Sequence, residues 1–367
     1  MALNKVDISM IEDVGGANNL VKLDANAKIP AGTGANLLNK PGPLTSASDP
    51  AIDSNKTLGT EWLNSTSGEM FICTDATAGE NVWTNVGAGT GNIKPWSFQG
   101  SNYGYTGGGN PSNIIDKFQF STGADATDVG DLTTNMRCSS TGSSSATNGY
   151  QTGWHASPGT SDEIEKFSFA SDGNATANYK LTHTDKSDPA GQSSENYGYT
   201  CGGYPNNNII DKFSMVTDAD STDVGDLATT TYSYAAQSSA THGYTSGGYL
   251  LTTIQRFSFA TDGNSVDTTQ DLTTTRYSFC GQSSETHGYT ASGHNGSGNH
   301  NVIDKFAFDS SVNATDIGDC TGSRRRVAGV SSITHGYCSG GYTGPAVDII
   351  DKFSFTTDGD ATDIAEC

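Results

Sequence analysis

The stretch HGYTASG at residues 287–293, followed by VIDKFAF at residues 302–308, decides the fold because both halves recur along the chain. The Gly-Tyr dipeptide that ends at Tyr289 occurs in six equivalent places, and so does the Lys/Arg-Phe dipeptide that ends at Phe306. The tyrosines are Tyr105, Tyr150, Tyr199, Tyr244, Tyr289 and Tyr337, and the phenylalanines are Phe118, Phe167, Phe213, Phe257, Phe306 and Phe353. The constant order and a period of 45 to 49 residues indicate a tandem repeat.

Each repeat is predicted to form four short strands. In the fifth repeat, RYSFCGQSS at 276–284 and NATDIGD at 313–319 flank the two quoted stretches, and turn residues separate all four. The repeats contain no stretch with the length and periodicity of a helix. Four strands in about 45 residues are typical of a propeller blade. The sequence therefore predicts an all-β, six-bladed β-propeller over residues 92–367.

The strand compositions fit that arrangement. The first strand carries small residues, such as Cys280-Gly281 and Ala328-Gly329, which suit crowding around a central axis. The third strand carries aromatic residues two apart, such as Phe306 and Phe308, and residues two apart on a strand share one face. We expect this face to be the packing layer between neighbouring blades, with each buried phenylalanine contributing roughly 1.5–3 kcal/mol.

The repeat resembles the kelch family. A glycine pair such as Gly202-Gly203 follows the Gly-Tyr mark, and a basic residue opens the next repeat, with Thr231 as the exception. The basic residues are Arg137, Lys186, Arg276 and Arg324. The chain departs from the family at Gly153-Trp154 and Ser292-Gly293, and the tryptophan of the fourth strand is replaced by valine or isoleucine.

Composition excludes several classes of partner. The 367 residues carry a formal net charge of −21, which disfavours nucleic acid and anionic membranes. The seven cysteines form no C-x-x-C pair, which favours free thiols in a reducing cytosol over a zinc site or a disulfide framework. We expect neither a signal peptide nor a membrane span.

The first 91 residues lack the repeat and resemble bacteriophage fibre and appendage proteins. VKLDANAKIPA at 21–31 is similar to a segment near the start of such proteins, and residues 59–87 are similar to one of their small β modules. We predict an extended attachment arm over residues 1–40 and a small β module with a linker over 41–91. The module is expected to have three strands with Trp62, Phe71 and Trp83 as its core, and LNKPGPLTSASDP at 38–50 is expected to be the linker. Fibre proteins of this kind are usually trimers, so the resemblance implies a homotrimer.

The resemblance implies a structural protein of a bacteriophage virion, assembled in the host cytoplasm. We expect a tail or capsid fibre, not an enzyme, whose N-terminal region holds other virion proteins while the head binds a glycan or protein of the host surface. Two alternatives remain open: a sialidase-like hydrolase of surface glycans, and a cytosolic kelch-type adaptor that binds proteins.

Candidate binding residues lie in the loops between second and third strands, which differ in every repeat. They are Trp154, His155, Asn206, Asn207, His294, Asn295 and His300, together with the basic cluster Arg324, Arg325 and Arg326. The basic residues that open the repeats could bind a carboxylated sugar at one mouth of the propeller. The alternative is that they pair with the aspartates five or six residues earlier, Asp131, Asp271 and Asp319.

The repeated aspartates and histidines can be explained by structural roles. Loops such as TDADSTDVGD at 217–226 could hold calcium, but Asp, Asn and Gly are also what turns require, and we favour turns. His242, His287 and His335 precede Gly-Tyr and are expected to make one repeated hydrogen bond each. We find no catalytic motif, and we expect no cofactor and no metal site.

Overall fold

The computed structural model describes residues 42–86, 100–109, 111–136, 140–156, 159–184, 186–205 and 207–367. All the secondary structure of these residues is β, which confirms the expected all-β class. No helix able to cross a membrane occurs among them. The chain separates into two compact units, Met1–Pro95 and Trp96–Cys367.

The N-terminal unit contains a four-stranded sheet. Its strands are Leu44–Ser46, Glu61–Asn64, Met70–Asp75 and Val82–Asn85. The first strand pairs in parallel with the second, and the other pairs are antiparallel. The first strand lies in the stretch predicted as a linker, so that prediction is wrong for residues 44–46.

A small aromatic core holds the N-terminal sheet together. Phe71, Cys73 and Trp83 are buried, and Trp62 packs edge-on against Trp83 with ring centroids 5.8 Å apart. The indole of Trp83 donates to the carbonyl of Ala51, which anchors the chain between the first two strands. The three aromatic residues predicted for this core are therefore present in it.

The second unit consists of consecutive antiparallel sheets, which we number 1 to 6. Sheet 1 comprises Tyr103–Gly109, Ser112–Gln119 and Thr127–Met136; sheet 2, Thr141–Ser144, Asn148–Thr152, Glu163–Ser168 and Thr176–Lys180; and sheet 3, Ala190–Ser193, Tyr197–Gly203, Asn207–Ser214 and Thr222–Asp226. Sheet 4 comprises Ala235–Ser238, His242–Ser246, Thr253–Ser258 and Val266–Asp271; sheet 5, Cys280–Ser283, His287–Ala291, Val302–Ala307 and Thr315–Asp319; and sheet 6, Ala328–Ser331, His335–Ser339, Ile349–Ser354 and Thr362–Glu366. The short strands His155–Ala156 and Gly159–Thr160 form a two-stranded pair. Sheets 2 to 6 each order their four strands as in the sequence.

Aromatic side chains join each sheet to the next. Tyr289 of sheet 5 packs on Phe353 and Phe355 of sheet 6, with ring centroids 5.6 and 4.7 Å away. Tyr337 of sheet 6 packs in the same way on Phe118 and Phe120 of sheet 1. The other contacts pair Tyr105 with Phe167 and Phe169, Tyr150 with Phe213, Tyr199 with Phe257 and Phe259, and Tyr244 with Phe306 and Phe308. The contacts thus lead from sheet 1 to sheet 6 and back to sheet 1, and the expected packing role of these aromatic residues is confirmed.

The glycine of each Gly-Tyr dipeptide is required by close packing. The ring of Phe306 covers Gly288 so closely that a Cβ there would lie 2.3 Å from the ring. The same phenylalanine covers the same glycine in all six sheets, at Gly104, Gly149, Gly198, Gly243, Gly288 and Gly336. A side chain at this position would push the aromatic layer out of place.

The first strands of neighbouring sheets approach one another closely. A Cβ on Gly281 would lie 2.1 Å from the carbonyl oxygen of Ala236, and one on Gly329 would lie 2.3 Å from that of Gly281. The Gln282 amide spans the gap by donating to the carbonyl of Tyr337 over 2.9 Å. The close approach of the first strands therefore requires small residues in these sheets.

The aspartate-rich loops connect the outer parts of the sheets. Asp360 accepts the backbone N–H of Asp319 in the preceding sheet over 3.0 Å, and Ala361 donates to the carbonyl of Asp319. Asp358 of the same loop binds Lys305 at 2.8 Å. Turn chemistry, extended to contacts between sheets, accounts for these aspartates. In the part of the chain that the structure describes, no group of three or more His, Cys, Asp or Glu residues could hold a metal ion.

Candidate functional site

Three of the basic residues that open the repeats, Lys186, Arg276 and Arg324, lie inside their sheets, and Arg137 lies outside the described residues. Lys186 pairs with Asp211 at 2.7 Å, Arg276 with Asp304 at 2.5 Å and Arg324 with Asp351 at 3.0 Å. All six side chains are at most 1% exposed. Each aspartate belongs to the third strand of the same sheet, so pairing with Asp271 and Asp319 was the wrong prediction. The prediction that these residues bind a carboxylated sugar at one mouth is also wrong for Lys186, Arg276 and Arg324, because a buried, paired cation cannot reach a surface ligand.

Sheet 4 replaces both members of this ion pair with neutral residues. Thr231 stands where sheets 3, 5 and 6 have Lys or Arg, and Gln255 stands where these three sheets have Asp. The hydroxyl of Tyr234 occupies this place, donating to the carbonyl of Thr229 and accepting the N–H of Thr231. Both charges disappear together, because either one alone would be buried without a partner. These residues therefore serve the fold.

Two further candidates from the sequence are also buried. Trp154 is fully buried in the cluster that includes Phe167, so its interpretation as a loop-tip residue is wrong. Arg324 is buried and paired with Asp351, so the prediction that it is a binding residue is wrong. Asn206 and the side chain of His155 lie outside the described residues. The oxygen of Asn207 accepts the N–H of Ile209, and that of Asn295 accepts two N–H groups of its own loop, so both shape local backbone.

Of the remaining candidates, His294 and Arg325 belong to a row of side chains that we call the rim strip, and His300 and Arg326 lie next to it. It lies at the end of sheets 3 to 6 where the second strand finishes. The rim strip consists of Tyr204, Tyr232, Tyr249, Tyr277, His294, Arg325 and Tyr342. Among these residues, only His294 and Arg325 were predicted from the sequence as binding residues. The tyrosines could have been found from their positions, directly after the glycine pair or just before the first strand.

Backbone hydrogen bonds fix the positions of the rim strip. The N–H of Tyr277 donates to the carbonyl of His294 over 3.0 Å, and the N–H of His294 donates back over 2.9 Å. Arg325 and Tyr342 pair in the same way in sheet 6. Since only main-chain atoms make these bonds, the fold sets where each side chain emerges but not which side chain it is.

The aromatic rings of the rim strip touch in sequence across sheets 3 to 5. The centroids of Tyr204 and Tyr232 lie 5.3 Å apart, those of Tyr232 and Tyr249 5.1 Å apart, and those of Tyr249 and Tyr277 5.0 Å apart. His294 continues the row, 5.3 Å from Tyr277. Tyr204 and Tyr249 are 53% and 42% exposed. The row forms a continuous, partly exposed aromatic surface.

One end of the rim strip is cationic. The Arg325 guanidinium lies over the ring of Tyr342, 5.5 Å from its centroid. Burial, followed by the charge of Arg325 and by His300, lowers the pKa of His294. The Nε atom of Arg325 is buried and has no hydrogen-bond partner within the described residues.

A cavity of about 300 Å³ opens directly inside the rim strip. Asp188, Ser233, Ser278 and Arg326 line it, and each has a positive φ between 53° and 58°. Three of them follow rim residues Tyr232, Tyr277 and Arg325 in the chain, so the left-handed turn sends one side chain to the strip and the next to the cavity. Arg326 is therefore exposed at a concave site, as a binding residue requires.

The smaller histidine prediction is confirmed at the opposite end of the sheets. Nδ1 of His242, His287 and His335 lies 2.8 Å from the hydroxyl of the preceding threonine in each case. These histidines are apart from the rim strip and take no part in the candidate site.

Comparison with known proteins does not place the chain in a family. No protein-family model matches it, and no curated protein gives a significant match.

Proposed function

We propose that this protein is a structural component of a bacteriophage virion, a tail or capsid fibre, whose head attaches to the host surface through the rim strip. The observation that carries the proposal is the exposed row of aromatic rings beside a cationic end and a cavity. Exposed tyrosines on a rigid scaffold are typical of binding surfaces, since they offer a large contact area and lose little conformational entropy.

We further propose that the head is a kelch-like, six-bladed propeller. The support is the succession of similar sheets, the close approach of their first strands, and the contacts between sheets 6 and 1. The amide of Glu366 in sheet 6 also donates to Asp125 of sheet 1, as equivalent residues do between the other sheets. A propeller would explain why one end of several sheets combines into a single surface.

The N-terminal region would hold other virion proteins and favour a homotrimer, assembled in the host cytoplasm. This part of the proposal is supported by the resemblance of residues 21–31 and 59–87 to fibre proteins. The chain is proposed to act by binding rather than catalysis, without a cofactor.

Two measurements test the proposal. Mass spectrometry of purified particles from producing cells should find the chain in a fixed ratio to the major capsid protein. Purified full-length chain should also compete with particles for adsorption to host cells. Competition should be lost in Tyr249→Ser and kept in Tyr103→Ser. Tyr103 has nearly the same exposure (43%) and begins the strand Tyr103–Gly109 of sheet 1, at the end away from the glycine pair.

Absence from particles would contradict the virion assignment and favour a cytosolic adaptor. Release of sugar from host glycans by the purified chain would favour the hydrolase. Equal competition by both tyrosine variants would show that the rim strip does not take part in attachment.

A further inference from the structure

We propose that the rim strip binds a linear polysaccharide that carries carboxylates, with one carboxylate held at Arg325 and the sugar chain lying along the tyrosines. This rests on the proposed function, that the head contacts the host surface, and specifies the chemical class of what it contacts.

The shape of the rim strip favours a chain-like ligand. Its successive ring contacts extend over sheets 3, 4 and 5 and lead to Arg325 in sheet 6. A compact ligand would touch one or two of these residues and leave the others unused. An extended polymer can touch all of them at once.

The orientation of the rings favours a polar ligand. Tyr232 and Tyr249 stack with only 15° between their planes, so each ring covers a face of the other. Stacking removes ring face from the surface and leaves edges and phenol hydroxyls a larger share of it, and these suit the hydroxyl-rich surface of a sugar chain. An apolar protein segment would instead need open ring faces or an apolar pocket.

The charges assign the carboxylate to one end of the rim strip. The cations Arg325 and Arg326 lie there, in a chain whose net charge is −21, and His294 and His300 lie beside Arg325 as hydrogen-bonding rings whose lowered pKa favours the neutral form. Within the described ranges, Arg325 makes no ion pair, and its buried Nε has no acceptor. A guanidinium binds a carboxylate through two parallel N–H groups, and the Arg325 side chain is half-buried, so part of it is open to a ligand.

The opposite end of the row is unsuited to an anion. Tyr232 has a raised pKa because of its burial, and after that because of Tyr249 and Asp188. The carboxylate of Asp188 therefore lies near the tyrosines, while the cations lie near Tyr342. This difference in charge orients the ligand, with neutral hydroxyls over the tyrosines and acid at Arg325.

The experiment compares two probes of equal size. Binding of the full-length chain to a hexamer of α-1,4-linked galacturonate and to its methyl ester is measured by calorimetry or biolayer interferometry. The acid is expected to bind at least tenfold more tightly than the ester, and added salt should reduce that difference. Arg325→Gln should lower the affinity for the acid at least tenfold and leave the affinity for the ester nearly unchanged.

Two further variants separate charge from contact. Tyr249→Ser should weaken both probes by a similar factor, because it removes contacts with the sugar chain. Lys180→Gln, which removes the same charge from a side chain 60% exposed in sheet 2, should change neither. Thermal unfolding checks that each variant is folded. If Arg325→Gln does not fold, Arg325→Lys provides the test, since it keeps the charge and loses the planar fork, with a loss of several fold expected.

Equal affinity for the acid and the ester, or no loss in the Arg325 variants, would overturn the carboxylate site. Dextran sulfate that binds more tightly than the galacturonate hexamer and depends equally on Arg325 would also overturn it. Any of these results together with continued competition for host adsorption would leave the proposed attachment function standing. Failure of the wild-type chain to compete with particles for adsorption to host cells would contradict that function directly.

Discussion

The contacts between sheets and the rim strip are built from the same repeats, yet they differ in how they use them. Between sheets, every repeat supplies the same Gly-Tyr and Phe, because each ring lies against both its own glycine and a neighbouring sheet. In the rim strip the paired positions hold Tyr and Tyr in sheet 4, Tyr and His in sheet 5, and Arg and Tyr in sheet 6. Packing therefore fixes the identity of the residues between sheets, whereas in the rim strip only the backbone positions are fixed.

Sheet 4 shows how an interior position can change, because its buried residues differ from those of sheets 3, 5 and 6. Its Thr231 and Gln255 replace a buried ion pair, and Tyr234 fills the space with a hydrogen-bonded hydroxyl. The interior therefore tolerates a change only when all contacting residues change together.

The largest expected effect comes from breaking that rule in sheet 5. Asp304→Gln leaves Arg276 buried without its counter-charge and should lower the free energy of unfolding by roughly 3–5 kcal/mol. The triple variant Arg276→Thr, Phe279→Tyr and Asp304→Gln transfers the residues of sheet 4 and should cost clearly less than Asp304→Gln alone. Denaturant unfolding measures both. Equal losses would show that the charge is not what links these positions.

A smaller effect is expected from the aromatic layer. Gly288→Ala places a methyl group against the ring of Phe306 and should cost about 1–3 kcal/mol by overpacking. Gly322→Ala is the matched control, because nothing lies within 4 Å of its added Cβ. Both variants are compared by denaturant unfolding. A similar loss in both would mean that backbone freedom, rather than the ring, determines the cost.

The smallest effect concerns the histidines at the far end of the sheets. Burial, followed by the charge of Lys305, lowers the pKa of His287, so the unfolded chain binds this proton more readily than the folded chain. Its contribution to stability is complete above the ordinary histidine pKa of about 6.5 and declines as the pH falls towards the lowered value. His287→Asn should reduce the decline in stability between pH 7 and pH 5.

Asparagine is a suitable replacement because Asn148 holds this position in sheet 2 and bonds its neighbouring threonine over 2.8 Å. Unfolding is measured at several pH values for both proteins. An unchanged pH dependence would show that groups other than His287 cause the decline in stability in this range.

Much of the fold could be predicted, but less of the candidate site. The strands, their order and the aromatic layer follow from the periodic Gly-Tyr and Phe, because strand geometry and close packing act within one repeat and its neighbour. Arg324 and Trp154 were misplaced because residues beside variable loops resemble binding residues in sequence, although the sheet buries them. The tyrosines of the rim strip were missed because residues from sheets 3 to 6 meet only after folding.

The sequence by itself determined that the chain would form repeated four-stranded sheets, since turn residues, alternation and obligatory glycines are local properties of each repeat. Only the tertiary structure decided which polar residues are buried and which are exposed. That choice depends on a third-strand aspartate 25 to 28 residues away, as for Lys186 and Arg276, and on side chains of adjoining sheets that lie side by side at the rim.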